Sequence, residues 1–385
     1  MGNPERKYLA AHRTSFHGNH AFSLKELAKK AINTPVVFLL AIVWVFFICY
    51  SKAFLTPDNM MTLLVVNAYF AIAAVGETYV LMTGGIDLSI AQVTAVSSVA
   101  SASVMVSMQT RIANQIFNAG GEMVKLSDFS RRMNINSSQL NEALAPYMGK
   151  IVVVGILTAV GIGIAFGLFN GIFIGFFNMT PFIITLATQL VARGLALVWS
   201  NEGRSIGNIP PVVTKMSTSY GIPIGDFMVI PWIVILMLAL IVIFGIFLGK
   251  TNWGRYITLT GANAKAAEYT GMPVKLATAS VYMVSGTLGG IAGFAALMCL
   301  GAGDPKIGDT LLLSVIGSVI LGGVDMNGGE GSMPKAALGI LLFATLINGM
   351  TFMNLSLSSQ QIVQGIIITV GTAMLAFINK KKNMK

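Results

Sequence analysis

Few residues of this sequence have the types and spacing that catalysis requires. The three histidines, His12, His17 and His20, all fall in the polar N-terminal stretch, where they offer only a weak metal-binding pattern. The apolar stretches contain no Ser/His/Asp set and no pair of neighbouring carboxylates of the kind used in acid–base chemistry. We therefore expect no catalytic residues, no bound metal and no enzymatic activity in this chain.

One segment resembles a phosphate-binding loop at first sight. It runs from Gly245 to Thr251 and ends in Gly-Lys-Thr. The motif needs four residues between its glycines and a strand before the loop. Here three residues separate Gly245 from Gly249, and an apolar stretch of helical length precedes them. Lys250 is better interpreted as an anchor at the end of a membrane helix, so we expect no nucleotide or other cofactor in this chain.

Two charged residues, Glu77 and Arg193, lie well inside apolar stretches. A charge within hydrocarbon is costly and usually faces a cavity or an opposite charge. We therefore expect Glu77 and Arg193 to pair and to hold the second and fifth apolar stretches together. The alternative is that one or both lie closer to a membrane surface than the ends of the stretches imply.

The composition favours a membrane protein. Hydrophobic residues form 55% of the 385 residues and charged residues only 10%, whereas about 25% is usual in soluble domains. In a soluble protein a net charge of +10 would favour nucleic-acid binding. Here the basic residues cluster at the ends of apolar stretches, which is a topology signal, and we expect lipid and not nucleic acid as the surroundings.

Ten stretches are long and apolar enough to be candidate membrane helices, each needing about 20 residues. They predict an all-α integral membrane fold of about ten transmembrane helices in residues 35–379. The candidates are Pro35–Tyr50, Met60–Met82, Leu88–Val106, Ile151–Gly175, Pro181–Trp199, Met228–Leu248, Leu276–Leu300, Thr310–Val324, Pro334–Phe352 and Gln361–Ile378.

The placement of Lys and Arg supports this number. Basic residues collect in an N-terminal tail (1–34), in the loop between the sixth and seventh stretches (249–276) and in a C-terminal tail (380–385). Ten crossings place all three on one face, which the positive-inside rule assigns to the cytoplasm. We therefore expect a multi-pass protein with both termini inside.

The opposite face receives a long polar insert, residues 107–150, with charges of both signs. Part of it, Ser127–Ala145, has weak helical character, with Ser127 or Asp128 as a possible cap. Two interpretations remain open. The insert is either a tolerated loop insertion or an extracytoplasmic lip that contacts an external partner.

Glycines recur at four-residue spacing within two of the apolar stretches. Gly163, Gly167, Gly171 and Gly175 recur at every fourth residue and would form a smooth ridge that a neighbouring backbone can approach closely. Gly286 with Gly290, and Gly289 with Gly293, offer a similar surface on the seventh stretch. Helix packing and a sliding surface for alternating access both fit this pattern.

A break between helices falls at Gly84-Gly85-Ile86-Asp87-Leu88-Ser89. The glycines permit a sharp bend, and Asp87 suits the N-cap of the third stretch. Broken helices at membrane depth are tolerated where they line a cavity, so a place on a solute path is compatible with capping. Gly301–Asp304 and Gly322–Asp325 repeat the pattern of glycines followed by Asp and hint at an internal pseudo-repeat.

The loop at 249–276 contains the most specific pattern. Asn263 suits a helix cap, Ala264–Thr270 can form about two turns, Gly271 can end the helix in a left-handed turn, and Pro273 prevents its continuation. A short polar helix so clearly delimited either docks on a partner or is an ordinary structured loop. The segment consists of Gly261, Ala262, Asn263, Ala264, Lys265, Ala266, Ala267, Glu268, Tyr269, Thr270 and Gly271.

Several segments, in order along most of the chain, resemble the permease subunits of the ribose/galactose-type family of bacterial ABC importers. The resemblance is carried by Met82–Ile90, Gly167–Gly171, Thr180–Ala187, Ala192–Leu195 and Trp253–Pro273.

The resemblance implies a type II importer permease in the bacterial inner membrane, working as two permease copies, identical or paralogous. Two cytoplasmic ABC ATPase subunits, which bind the ATP, and an extracytoplasmic sugar-binding protein would complete the assembly. The family's coupling helix corresponds to Gly261–Gly271, which would contact the ATPase. The solute path, or the helix break beside it, is expected at Gly84, Gly85, Asp87, Ser89, Asn170, Thr180, Pro181 and Phe182.

Other functions stay open at this point. An ion-coupled secondary transporter would usually need buried carboxylates or histidines along an ion path, for which Glu77 is the best candidate. A passive channel would not concentrate its solute. Similar ABC permeases serve nucleosides, so the solute need not be a monosaccharide. The insert at 107–150 is longer than the resemblance leads us to expect, which bears on how a binding protein would fit.

Overall fold

The computed structural model of the chain describes residues 35–117, 124–133, 135–225 and 228–383, without the side chains of residues 35, 130, 131, 228 and 375–383. The predicted N-terminal tail, residues 1–34, lies outside the described residues, as do the side chains of the predicted C-terminal tail, residues 380–385. The orientation inferred from these tails is therefore still a prediction.

The described residues form a bundle of α-helices. Short connecting helices occur between the long ones. In chain order they are α1 (Pro35–Tyr50), α2 (Pro57–Val66), α3 (Ala68–Met82), α4 (Ile90–Ile116), α5 (Phe129–Arg132), α6 (Ser137–Leu144), α7 (Met148–Gly171), α8 (Pro181–Trp199), α9 (Pro211–Thr218), α10 (Trp232–Lys250), α11 (Asn252–Ala262), α12 (Ala264–Tyr269), α13 (Val274–Leu300), α14 (Ile307–Leu321), α15 (Met333–Phe352) and α16 (Leu357–Asn383).

A helix occupies each of the ten apolar stretches that the sequence predicts. Within the described residues, six helices are long and apolar enough to cross a membrane, or seven if the bent pair of α2 and α3 counts as one. Two more, in α1 and α14, are apolar but shorter. The protein is thus a mostly helical, multi-pass membrane protein, while the number of ten crossings and the internal pseudo-repeat stay predictions.

Side-chain caps define several of these helix ends. The hydroxyl of Thr251 accepts a hydrogen bond from the backbone N–H of Gly254 (3.1 Å) at the start of α11. Asn136 forms a capping box with Gln139 at the start of α6, so Asn136 caps this helix of the insert and neither Ser127 nor Asp128 does. Such caps satisfy N–H groups that have no partner within the helix.

The second predicted stretch is bent by 50° between α2 and α3. Asn67 lies at the bend, and its amide donates hydrogen bonds to the carbonyl oxygens of Leu63 (2.9 Å) and Ala344 (3.4 Å). The second bond reaches α15 across the bundle. The polar side chain thus ties the helix before the bend to α15.

One end of the bundle, which we call the α12 end, collects the turns at 83–89, 172–180, 251–273 and 322–332. The backbone N–H of Gly329 donates to the carbonyl oxygen of Met82 (3.0 Å), which joins two of these turns. The N-terminal half of α1 and the C-terminal half of α16 also lie toward this end, because Phe47, late in α1, packs against Gly349, late in α15, and Gly371 packs against Leu321.

The opposite end, which we call the insert end, carries the insert and the turns at 200–231 and 301–306. An isolated bridge pairs Ile206 with Gly303 there, and the Ser217 hydroxyl donates to the Met298 carbonyl (2.7 Å). The termini of the described bundle and the loop at 249–276 therefore share one end, which is the arrangement that an even number of crossings requires.

The insert end departs from the sequence prediction in two ways. Helix α4 continues to Ile116, so the first ten residues of the predicted insert are helical. A two-stranded antiparallel hairpin, β1 (Gly221–Ile224) and β2 (Met228–Pro231), pairs Gly221 with Pro231. The sequence prediction of an all-α fold missed this hairpin, although glycine and aspartate between two apolar runs are a usual hairpin signal.

The centre of the bundle is α13, which packs against α3, α4 and α7. Its contact with α7 is between backbones. A Cβ atom added at Gly163 would clash with the Gly286 carbonyl oxygen and would lie 2.8 Å from the Gly290 Cα, and one added at Gly167 would lie 2.8 Å from the Tyr282 carbonyl oxygen. The glycine ridge predicted from the sequence is therefore a close packing surface.

The close contact of α7 with α13 predicts different effects for two glycine substitutions on α7. Gly163→Ala should lower the thermal unfolding midpoint of the detergent-purified protein by roughly 5 °C or more, because overpacking costs about 1–3 kcal/mol and the facing backbone cannot move aside. Gly161→Ala should leave the midpoint unchanged or raise it slightly, since no atom lies within 4 Å of its added Cβ. Equal loss in both variants, measured by size-exclusion chromatography after heating, would contradict this assignment.

Candidate functional site

Helix α12 has the ends that the sequence predicts. The Asn263 side chain accepts a hydrogen bond from the Ala266 backbone N–H (3.0 Å). Gly271 adopts φ +79°, the left-handed conformation that ends the helix. The Ala267 side chain is buried beneath the helix, whereas Tyr269 is 89% exposed. The helix therefore rests on the protein by one face and presents an aromatic ring to the outside.

The predicted coupling segment, Gly261–Gly271, is made of three parts. Gly261 and Ala262 end α11, residues 264–269 form α12, and Thr270 and Gly271 form the turn after it. The last turn of α11 packs tightly against the rest of the α12 end. A Cβ added at Gly261 would clash with the Met82 carbonyl oxygen and would lie 2.6 Å from the Gly329 nitrogen.

The turn at 83–89 packs against the same part of the α12 end. A Cβ added at Gly84, whose φ is +75°, would lie 2.8 Å from the Asn327 carbonyl oxygen. The end of α11, the turn at 83–89 and the glycine-rich turn at 322–332 thus meet backbone to backbone. Because of these contacts, a displacement of α12 would move the turn that precedes α4.

Behind this break lies a buried polar network. The Asp87 carboxylate accepts hydrogen bonds from the Ser89 backbone N–H (2.9 Å), the Ser89 hydroxyl (2.6 Å) and the Ser285 hydroxyl (2.6 Å). Asn170 donates to the Ser89 hydroxyl (2.9 Å) and accepts from the Thr188 hydroxyl (2.6 Å). The network joins the start of α4 to α7, α8 and α13.

Two expectations about this region need correction. Helix α4 begins at Ile90, and its N-cap position is Ser89, so Asp87 lies two residues before the cap. Asp87, Ser89 and Asn170 are each at most 1% exposed, so in this conformation they line no open path. Gly85 is buried against the Tyr282 ring hydroxyl, whereas Gly84 is exposed at the α12 end, beside the Asn327 carbonyl.

The remaining predicted path residues lie where α8 begins. Thr180 precedes the helix, and Pro181 is its first residue, where the missing N–H of proline costs nothing. Phe182 is 55% exposed. These three residues are at the α12 end and do not contact the Asp87 network.

The ion pair expected between Glu77 and Arg193 is wrong. Glu77 is fully buried, with one carboxylate oxygen accepting from the Asp87 backbone N–H (3.3 Å) and the other without a hydrogen-bond partner among the described residues. Arg193 pairs with Asp309 instead, at 2.9 Å between Nη2 and Oδ2. Gln92 donates to the other oxygen of Asp309 (2.9 Å).

The sequence reasoning missed Asp309, Gln92, Ser285 and Thr188. Asp309 precedes the apolar run Thr310–Val324 by one residue, so hydropathy gives no sign that it lies within the bundle. The signal that could have shown its depth is the shortness of α14, which has only 15 residues, about 22 Å of helix. The other three are uncharged polar residues within apolar runs, whose hydrogen bonding hydropathy does not reveal.

The network makes Asp87→Ala a strong test of its structural role. The variant leaves the Ser89 N–H and the Ser285 hydroxyl buried without an acceptor, at about 1–3 kcal/mol for each group. We expect its thermal midpoint in detergent to fall by roughly 5 °C or more, while Asp58→Ala in the exposed first turn of α2 changes little. An unchanged midpoint for Asp87→Ala, with solute uptake abolished, would instead indicate a direct contact with solute.

Comparison with known proteins agrees with this architecture. The family described as "Branched-chain amino acid transport system / permease component" matches residues 59–371. The ribose import permease protein of Bacillus subtilis (strain 168) is 31% identical over 84% of this chain and 86% of its own length. The D-allose transport system permease protein of Escherichia coli (strain K12) is 29% identical over 89% and 91%, respectively.

A third relative, the galactose/methyl galactoside import permease protein of Haemophilus influenzae (strain ATCC 51907 / DSM 11121 / KW20 / Rd), is 26% identical over 94% of this chain and 98% of its own length. No solved structure gives a significant match. The residues matched by the family, 59–371, include the helix break and α12. The chain therefore belongs to this family of membrane permeases, as a permease of the monosaccharide ABC importers.

Proposed function

We propose that this chain is the translocating subunit of an ATP-driven importer for a monosaccharide in a bacterial inner membrane. Two permease copies would form the path, two cytoplasmic ABC ATPase subunits would bind and hydrolyse ATP, and an extracytoplasmic binding protein would deliver the sugar. The observation that carries the proposal is α12, a capped and exposed helix whose base is packed against the break before α4.

The charges favour placing the α12 end in the cytoplasm, with both chain termini. Lys250, Arg255, Lys265 and Lys275 lie on or beside this end, and basic residues in short loops stay on the cytoplasmic side. An ATPase bound there would contact Tyr269, the exposed ring of α12. The permease itself would catalyse no covalent step, since the ATPase would hydrolyse the ATP.

The contacts supply a route from α12 to the membrane helices. Movement of α12 would displace the end of α11, which packs on the Met82 carbonyl and on Gly329. Met82 ends α3, and the turn that follows leads to Asp87. The buried network, which bonds these helices to one another, would then shift α4, α7, α8 and α13 together. ATP, by binding one arrangement of the assembly better than the other, would drive the change between outward and inward access.

The test is a purification from the native host combined with sugar uptake. The protein is isolated in mild detergent and co-purifying proteins are identified by mass spectrometry. In parallel, uptake of radiolabelled ribose, allose, arabinose, galactose and xylose is compared between the parent strain and a deletion strain. We expect an ABC ATPase among the co-purifying proteins. We also expect the parent strain to take up one or more of these sugars even after an uncoupler has collapsed ion gradients, and the deletion strain to have lost this uptake.

Two results would overturn the proposal. A well-folded protein recovered without any ATPase, together with uptake that an uncoupler abolishes, would identify an ion-coupled carrier. Uptake of nucleosides but of none of the sugars would place the chain in an importer for a different class of solute.

The exposure of Tyr269 gives a separate prediction. Tyr269→Ala should leave the thermal midpoint of the isolated permease unchanged, because the ring contacts little of its own chain. It should reduce recovery of the ATPase by roughly tenfold, as expected for truncation of an aromatic anchor at an interface. Tyr147→Ala, at the exposed start of α7 toward the insert end, serves as the control and should leave recovery unchanged.

A further inference from the structure

The ion pair of Arg193 and Asp309 lies at a depth where charges are rare. Arg193 is twelve residues after Pro181, the first residue of α8, and six before Trp199, the last. At 1.5 Å per residue these positions are about 18 Å from one end and about 9 Å from the other. The hydrocarbon core is about 30 Å thick, so Arg193 lies within it.

The contacts of α14 place Asp309 at the same level. The helix starts beside the first turn of α4, where a Cβ added at Gly308 would lie 2.6 Å from the Gln92 side chain and 2.8 Å from the Ala91 carbonyl oxygen. The turn before it packs deeper than a surface loop would, because Gly303 lies against Val99, in the middle of α4. Helix α14 therefore begins inside the bundle.

Both charged side chains are nevertheless open on the surface of this chain. The Arg193 side chain is 49% exposed and that of Asp309 is 33% exposed. The neighbours of Arg193 on the same face of α8 are apolar, with Leu190 64% and Leu186 38% exposed. An exposed charge pair beside hydrocarbon is very unfavourable, so we expect that this pair does not face lipid.

The pair is held in a fixed geometry from behind. Gln92 is 1% exposed and donates to Asp309 Oδ1 (2.9 Å), while Arg193 donates to Oδ2 (2.9 Å). Each carboxylate oxygen thus has one protein donor and keeps capacity for another. The guanidinium keeps donors that do not bond Asp309.

We propose, on the basis of the sugar-import function above, that Arg193 and Asp309 form a binding site for adjacent hydroxyl groups of the solute on its path through the membrane. One hydroxyl of a diol can donate to the Asp309 carboxylate while its neighbour accepts from the Arg193 guanidinium. The pair carries no net charge, and it therefore suits a neutral polyol better than an anion or a cation. Gln92 is a positioning residue that orients Asp309.

The first test asks whether the site is lined by water, and it does not depend on the solute. Gly194 lies next to Arg193, and no atom is within 4 Å of a Cβ added there. In a background where Cys49 and Cys299 are replaced by Ala, the thiol of Gly194→Cys should react with a small, charged, water-soluble methanethiosulfonate in membrane vesicles. Ile243→Cys, on the exposed apolar face of α10, should not react.

The second test asks whether the pair contacts sugar. The double variant Arg193→Met with Asp309→Leu replaces the ion pair by apolar side chains of similar size, which often leaves stability unchanged. Because the buried Gln92 amide loses its acceptor here, we expect the thermal midpoint to fall by roughly 5 °C, while recovery of the ATPase should match the parent. Uptake of the sugar that the parent transports should fall about tenfold, the loss expected for charge-assisted hydrogen bonds. Gln92→Leu should give a smaller loss.

The outcomes separate the site from the wider function. No reaction at Gly194→Cys in vesicles of either orientation would overturn the site whatever the solute is. Reaction there with full sugar uptake by the double variant would show that the pair only ties α8 to α14, and this too would overturn the site. Absence of sugar uptake by the parent protein would contradict the proposed function, and a reactive Gly194→Cys thiol would then still show a water-lined path for another solute.

Discussion

The arrangement of this protein depends on the close contact of α7 with α13. Gly163 and Gly167 on one helix face Gly286 and Gly290 on the other, and a single added methyl group on Gly163 would clash with the facing backbone. Lipid tails are as apolar as leucine, so burial of apolar side chains gives little drive for helices to associate in a membrane. Close backbone packing supplies that drive, and it fixes α13 where α3 and α4 can pack around it.

Polar groups then connect this packed centre to the turns at the α12 end. Asp87 and Asn170 bond the start of α4 to three other helices, and the Met82 carbonyl bonds the turn at 322–332. Buried networks of this kind favour one geometry strongly, because each group left without a partner is costly. The helices around the break are therefore expected to move as a set and not one by one.

The sequence was sufficient for the features that depend on local chemistry. Hydropathy located a helix at each of ten places, and Asn263 and Gly271 delimited α12. The four-residue spacing of glycines predicted the contact of α7 with α13. What it could not supply was depth and long-range pairing. Arg193 and Asp309 are 116 residues apart, and Asp309 lies within the bundle only because the turn before α14 returns inward.

The same reason explains why three of the residues predicted for the path are buried in this conformation. Asp87, Ser89 and Asn170 are polar residues beside a helix break, which is a usual feature of cavities in transporters. Whether such residues face a cavity or each other depends on how close the neighbouring helices approach, and the glycines of α7 and α13 bring them close enough to bond. Hydropathy and motif spacing contain no information about that distance.

The uninterrupted length of α4 has one more consequence. This helix runs from Ile90, three residues after Asp87, to Ile116, beyond the predicted span. At the far end, Ala113 packs with Phe129 and Leu144 of the insert, so the insert is a folded cap on the helix. One stiff rod, about 40 Å long, thus has its two ends in the insert and beside the buried network. A force applied to that cap would reach the network through one continuous helix, with no break within it.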